Sequence, residues 1–177
     1  LPYRRLAGAV EEAYAAGMFG ERIFGTDFSC DIVVYRGAGA YVAGEASGLI
    51  ASLEGKKSYP RNRPPRLTVK GLYQRPTVVN NVESLSNIAW IIAHGAAAYK
   101  EVGTPKSPGT RLFSVSGHVN KPGVYEVELG YPWMKFLDED CGGIVGGKAI
   151  KCVVPGGVSS KVLTGAEIKD LVLSHEA

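Results

Sequence analysis

The chain has 177 residues, 45% hydrophobic and 21% charged, with 23 Gly, 10 Pro and a formal net charge of +3. That composition suits one or two compact domains and excludes a disordered tail, a collagen-like repeat and a disulfide miniprotein. Three dispersed cysteines without a C-x-x-C pair argue against a disulfide framework or a zinc knuckle. The longest apolar stretch, Ile88 to Ala98, carries His94 and is too short for a bilayer, so no direct membrane insertion is expected. Leu1-Pro2-Tyr3-Arg4-Arg5 has neither an initiator Met nor an apolar signal, and the chain reads as a piece of a longer protein.

In chain order, Leu6, Val10, Ala13 and Gly17 recur at helical spacing, and Gly17 and Gly20 end that helix. Asp31 to Tyr35 is a β-branched run that predicts a strand, feeding the Gly-rich turn Gly37 to Gly44. Glu45 to Glu54 predicts a helix stopped by Gly55. Residues 56 to 75 then hold seven Lys or Arg and no acid, leaving the remainder with 13 basic against 17 acidic residues. Such a block suits a phosphate or an acidic partner. A solvated loop is the favoured reading, since Pro60, Pro64 and Pro65 prevent regular structure and no nucleic-acid motif surrounds it.

Past Pro76, Thr77 to Val79 reads as extended, and Asn80-Asn81-Val82-Glu83 reads as a capping box with Asn80 as N-cap and Glu83 three residues on. The helix it opens runs to Gly95, with Leu85, Ile88 and Ile92 on one face. This alternation predicts an α/β domain. After a Thr/Pro/Gly-rich boundary at 104 to 110, residues 111 to 116 and 123 to 129 form a hairpin joined through His118 to Pro122. A short helix with Trp133, Phe136 and Leu137 on one side and a strand at 150 to 154 complete a small α+β unit.

The Gly-rich turn lacks both common nucleotide signatures. Glu45 and Ala46 replace the Lys and hydroxyl residue of a triphosphate loop, and Val42 stands where a dinucleotide fingerprint needs its third glycine. The turn still allows close backbone approach to a flat ligand, with Tyr41 as an aromatic body and Glu45 as an acceptor at a helix start. The plain alternative is an ordinary tight turn whose Glu45 offsets the helix dipole. At the second turn, a helix N-terminus offers N–H groups to an anion and one asparagine is left over after capping. Simple capping is the plain alternative there. The three histidines are dispersed, without an H-x-x-x-H pair, so no metal site is expected, and no G-x-S-x-G elbow is present.

The motifs Gly37 to Glu45, Leu49-Ile50, Ser52 to Gly55, Pro60-Arg61, Pro64-Pro65 and Pro76 to Leu85, in that order, resemble the flavin-binding core of the NADH-binding flavoprotein subunit of respiratory complex I. The same module recurs in diaphorase subunits of NAD-linked hydrogenases and formate dehydrogenases. Residues 109 to 164, with Lys121 to Glu126 and Pro155 to Ser159, resemble the soluble-ligand-binding β-grasp (SLBB) domain that follows in those proteins.

The resemblance implies that residues 1–103 are the C-terminal part of an FMN-binding α/β domain and that 109–177 are the β-grasp domain. It implies FMN and NADH as cofactors of the full-length parent, which moves a hydride from NADH to FMN and electrons on to iron–sulfur clusters. Gly39, Tyr41, Gly44, Glu45, Val79, Asn80 and Asn81 are the implied flavin-contacting residues, with Glu45 in the catalytic position. The fragment alone is expected to be inactive. The Gly-rich loop with its Lys is expected upstream, and a [4Fe–4S] cluster only in a region downstream. Implied partners are other subunits of an electron-transfer complex, including an iron–sulfur subunit, and not nucleic acid. The implied location is cytoplasmic or the cytoplasmic face of a membrane. Ala46 replaces the second of two consecutive acids usual in the family and cannot hydrogen-bond a ribose hydroxyl. The alternative is therefore an NADH-incompetent paralogue that serves as a binding or assembly module.

Overall fold

The computed structural model describes residues 2–37 and 39–175; Ala38 of the Gly-rich turn lies outside them. The chain divides into two compact units, residues 1–79 and 80–177. Among the described residues, helices combine with two separate two-stranded antiparallel sheets, a mixed α and β composition. Among the described residues, no helix is long and apolar enough to cross a membrane.

The first unit opens with helix α1 (Pro2–Ala15). Its end follows from Gly17, whose φ of 70° is cheap only without a Cβ. Gly17 N–H then bonds Tyr14 C=O at 3.0 Å and Met18 N–H bonds Ala13 C=O at 2.9 Å, which satisfies the last carbonyls of the helix. The helix forms as expected yet buries none of its residues. Tyr14 ties it down instead, its hydroxyl donating to Asp31 Oδ1 at 3.0 Å and accepting from Ile32 N–H at 2.9 Å.

The strand expected at Asp31 to Tyr35 is absent. Pairing stops at the single antiparallel bridge Gly20–Cys30, and Val33 beyond it is 85% exposed. A strand is stabilised by a neighbour's backbone, and the described residues of the first unit offer this run none. The unit therefore holds helices and turns without a ladder. Helix α2 (Ala46–Leu53) supplies most of its buried residues, Ser47, Gly48, Ile50 and Ala51, with Ile23 buried outside it, and closes on Gly55 by the same two-bond pattern that ends α1.

The second unit begins with α3 (Val82–Glu101), broken at Gly95, whose φ of 88° and ψ of 158° leave the helical region. The helix thus ends its first segment where the sequence predicts, then resumes. Strands β1 (Thr110–Val115) and β2 (Gly123–Glu128) form the expected hairpin, with Phe113 opposite Tyr125 and Arg111 opposite Val127. Alternation places Phe113, Val115, Tyr125 and Val127 against the core and leaves Leu112, Val124 and Glu126 outside.

Trp133 opens a single helical turn, α4 (Trp133–Lys135), which widens into a π-helical turn at Phe136–Asp140. Trp133, Phe136 and Leu137 are all buried there, on one side as expected. The chain then returns as β3 (Cys152–Val153), β4 (Leu163–Thr164) and α5 (Gly165–Ile168). The strand expected at 150 to 154 is shortened to its centre, and β4 with α5 is an addition. Thr164 and Glu167 form a reciprocal capping box that starts α5.

Phe136 is the hub of this core, 1% exposed, with the Phe113 ring at 6.0 Å and the Tyr125 ring edge-on at 5.5 Å. Val119, Cys141, Ile168 and Leu173 close around it. The three cysteines are free thiols graded by depth: Cys152 exposed, Cys30 intermediate, Cys141 buried. Burial, and then the Asp140 carboxylate, pushes the Cys141 thiol above its ordinary pKa.

Truncating the hub removes a buried ring whose neighbours come from β1, β2 and the π-helical turn. Phe136→Ala is expected to destabilise the second unit by about 3–5 kcal/mol. Urea unfolding followed through the emission of Trp90 and Trp133, both in the second unit, checks this, and a loss under about 1 kcal/mol would show that the core collapses around the gap.

Candidate functional site

The first candidate turn is built around one carboxylate. Ala40 is extended, and residues Tyr41–Gly44 make a 3₁₀ turn that delivers Glu45 to the N-cap of α2. Glu45 Oε2 accepts from the Ser47 hydroxyl at 2.5 Å and from Gly48 N–H at 2.8 Å. Its other oxygen faces Arg63 Nη2 at 3.8 Å. The Ser47 hydroxyl above all, then Gly48 N–H, holds the Glu45 carboxyl below the usual range, so Glu45 is ionised at neutral pH.

Ser47 carries the connection onward, since its oxygen accepts from Arg61 N–H at 2.8 Å and the residue is 1% exposed. Gly48 is needed for close approach: a Cβ there would stand 2.9 Å from Val42 C=O and 3.4 Å from Ser58 C=O. The Gly-rich turn and the basic loop are thereby fastened to the same first turn of α2.

A second carboxylate organises the basic loop itself. Glu54, its side chain 3% exposed, receives Lys56 Nζ at 2.7 Å, Arg61 Nη2 at 3.3 Å and Tyr73 N–H at 2.9 Å. Lys56 foremost, then Tyr73 N–H, lowers its pKa. The loop is thereby tied at Glu54 and Ser47 while most of its cations stay exposed, as a solvated loop would have them. Sequence reasoning passes over Ser47, Glu54 and Arg63, although an acid just before a run of seven cations is a signal for such a clamp.

The remaining candidates of the first turn lie as follows. Gly39 has φ 71° and Gly44 an ordinary φ, and a Cβ on either would meet nothing within 4 Å. Tyr41 is 72% exposed. Val79 is half-buried at the end of the first unit.

Asn80 and Asn81 belong to the second unit. There the capping differs from expectation: Asn81, not Asn80, is the N-cap, its Oδ1 accepting from Glu83 N–H at 2.7 Å. The box stays open because Glu83 turns to β1, accepting from Leu112 N–H at 3.0 Å with Arg111 Nε 3.7 Å away. A strand-edge N–H and a guanidinium together outcompete the backbone of the cap. Asn80 is thus the asparagine left over, exposed and without a hydrogen bond to another described residue.

Chemically, the first unit presents bare backbone at Gly39 and Gly44, an exposed phenol ring and a fixed anion. The second presents an exposed carboxamide at a helix start. In the first unit, backbone without Cβ allows face-on approach of a planar ligand. Among the described residues, no group of three His, Cys, Asp or Glu could hold a metal ion.

Residues 2–90 match the family described as Complex1_51K, the Nuo51 FMN-binding domain. The chain belongs to this family. It is 46% identical over 173 residues to an NADH-quinone oxidoreductase subunit of Mycobacterium bovis, covering 98% of this chain and 38% of that protein. It is likewise 46% identical over 159 residues to the mitochondrial NADH dehydrogenase [ubiquinone] flavoprotein 1 of Dictyostelium discoideum, covering 89% of this chain and 33% of that protein. Among solved structures, an NAD+-reducing [NiFe]-hydrogenase in the H2-reduced state aligns with TM-score 0.69 and 41% identity, over 80% of this chain and 24% of the other. The chain thus spans well under half the length of the relatives it matches.

The cap has a pH signature. Glu45→Ala is expected to cost about 1 kcal/mol near neutral pH, the size of a lost N-cap. Because the folded-state pKa is lowered, the Glu45 contribution is complete above the ordinary carboxylate value of about 4.3 and is lost as pH falls through the folded value. Thermal unfolding of both proteins from about pH 6 down to 2 checks this; a gap that stays constant to the acid end would show that Glu45 acts without its charge.

The clamp has a proteolytic signature. Glu54→Gln is expected to raise tryptic cleavage at Lys56, Lys57 and Arg61 several-fold while cleavage at Lys148 is unchanged, and limited proteolysis with mass spectrometry reads both.

Proposed function

We propose that this chain is part of an NADH dehydrogenase flavoprotein subunit, with residues 1–103 as the latter part of its FMN-binding α/β domain. Residues 109–177 are then its β-grasp domain. The order hairpin, helical turn, short antiparallel pair supports that second assignment. The observation that carries the reading is the family match over residues 2–90, which contains every residue singled out for the flavin.

FMN, when bound, accepts a hydride from NADH and passes electrons on one at a time. The residues that would hold it are Gly39, Tyr41, Gly44 and Glu45 in one turn and Val79, Asn80 and Asn81 in the other. Gly39 and Gly44 supply bare backbone and Tyr41 an aromatic face. Glu45, fixed by Ser47 and Gly48, places an anion at the catalytic position without rotamer freedom. Asn80 brings an uncommitted carboxamide, while Asn81 is spent on its helix. Partners in this reading are other subunits of an electron-transfer complex, including an iron–sulfur subunit, on the cytoplasmic side of a membrane that this chain does not itself enter.

One observation favours a second reading, in which NADH no longer binds and the fold serves assembly. Ala46 offers no acceptor, and the hydroxyl of its neighbour Ser47 is buried and engaged with Glu45 and Arg61. Neither residue can take a ribose hydroxyl.

Anaerobic titration of the full-length parent separates the readings. The enzyme reading expects a yellow protein with FMN bound and bleached by NADH. Flavin that binds but never bleaches with NADH supports the assembly reading. A parent that stays colourless after FMN is added overturns both assignments of the turns.

A further inference from the structure

The β-branched run that leads into the Gly-rich turn has two unequal edges. Continued as a strand, it turns the N–H and C=O groups of alternate residues to alternate edges. Cys30 and Ile32 spend theirs on one edge: Cys30 exchanges backbone bonds of 2.8 and 3.0 Å with Gly20, and Ile32 N–H donates to the Tyr14 hydroxyl at 2.9 Å. Asp31, Val33 and Tyr35 belong to the other edge, and their backbone groups make no hydrogen bond to another described residue. Val33 is 85% and Tyr35 56% exposed. An open edge carrying β-branched and aromatic residues is a template for another strand.

Among the described residues the first unit contains no strand that could fill this edge, and β1 to β4 all belong to the second unit. The first unit also leaves apolar surface uncovered: α1 buries none of its residues, and Leu6, Met18, Phe24 and Phe28 are exposed. A partner that supplies a strand together with a core to cover such residues is a folded layer rather than a short peptide. The relatives are long enough to hold one, since the matched region is well under half of each. Resting on the reading of this chain as part of a flavoprotein subunit, we infer that a strand from elsewhere in the same subunit adds to the edge at Val33 and Tyr35. Pairing there also acts on the candidate site. The Gly-rich turn is locked at its Glu45 end by Ser47 and Gly48, whereas Arg36 and Gly37 at its start make no hydrogen bond to another described residue. The added strand is the second lock, and it fixes the direction in which the chain enters the turn.

Hydrogen exchange resolved to single amides is measured on the full-length parent and on this 177-residue chain. The Val33 and Tyr35 amides are expected to exchange at least about a hundredfold more slowly in the parent, the protection of a paired strand, and freely in the chain alone. Val33→Pro removes a donor from the open edge, and in the parent it is expected to abolish Tyr35 protection and to weaken FMN retention about tenfold, whereas Val34→Pro, on the opposite edge, leaves both unchanged. Protection of the α2 amides checks that each variant folds; if either loses it, the comparison of the unaltered parent with the chain decides alone. The inference is overturned if Val33 and Tyr35 exchange as fast in the parent as in the chain, or if the two prolines act alike while α2 stays protected. It is also overturned if raising the concentration of the chain alone confers the protection, since a second copy would then supply the strand. A colourless parent with protected amides refutes the flavin reading and supports the strand; a yellow parent with unprotected amides refutes the strand alone.

Discussion

The bond between Glu45 and the first turn of α2 holds the candidate site together. One carboxylate oxygen takes a side-chain hydroxyl and a backbone N–H, and the same hydroxyl accepts the N–H of Arg61, fourteen residues along the chain. Three stretches are fixed at a single point: the glycine turn before it, the helix after it and the cationic loop beyond. A charged acceptor is well suited to this, because hydrogen bonds to an ionised oxygen are stronger than those between neutral groups. The arrangement also explains how a turn rich in glycine keeps one shape. Its flexibility is confined to the backbone that would meet a ligand, while its far end is locked.

Charge placement in the first unit follows a related logic. Seven cations without an intervening acid would repel one another along the loop, but Glu54 pairs with two of them and Glu45 faces a third. What stays outside is positive.

Legibility in the sequence tracks how local the determining physics is. The hairpin is readable because Phe113, Val115, Tyr125 and Val127 alternate with outward residues, and the helix stops because Gly17 and Gly55 sit where positive φ is required. The buried side of Trp133, Phe136 and Leu137 follows from spacing alone. The strand predicted at Asp31 to Tyr35 does not form because β-branched residues permit extension and only a neighbour enforces it. The N-cap moves from Asn80 to Asn81 because Glu83 finds its partner on β1, 29 residues away, beyond the reach of a four-residue motif. β4 is too short for any periodicity, yet Thr164-Gly-Ala-Glu167 carries a capping signature in plain view. At the candidate site, Gly39, Gly44 and Glu45 are legible as types of residue, whereas the roles of Ser47 and Glu54 depend on which donors folding brings to them.

The depth order of the three thiols has a use. Cys30 sits in the first unit, Cys141 at the centre of the second, and Cys152 on its surface. An alkylating reagent modifies the last at once, whereas the deepest thiol is protected both by packing and by a raised pKa that starves it of thiolate. Counting mass increments over time would therefore time the opening of each half of the molecule separately, with no engineered label.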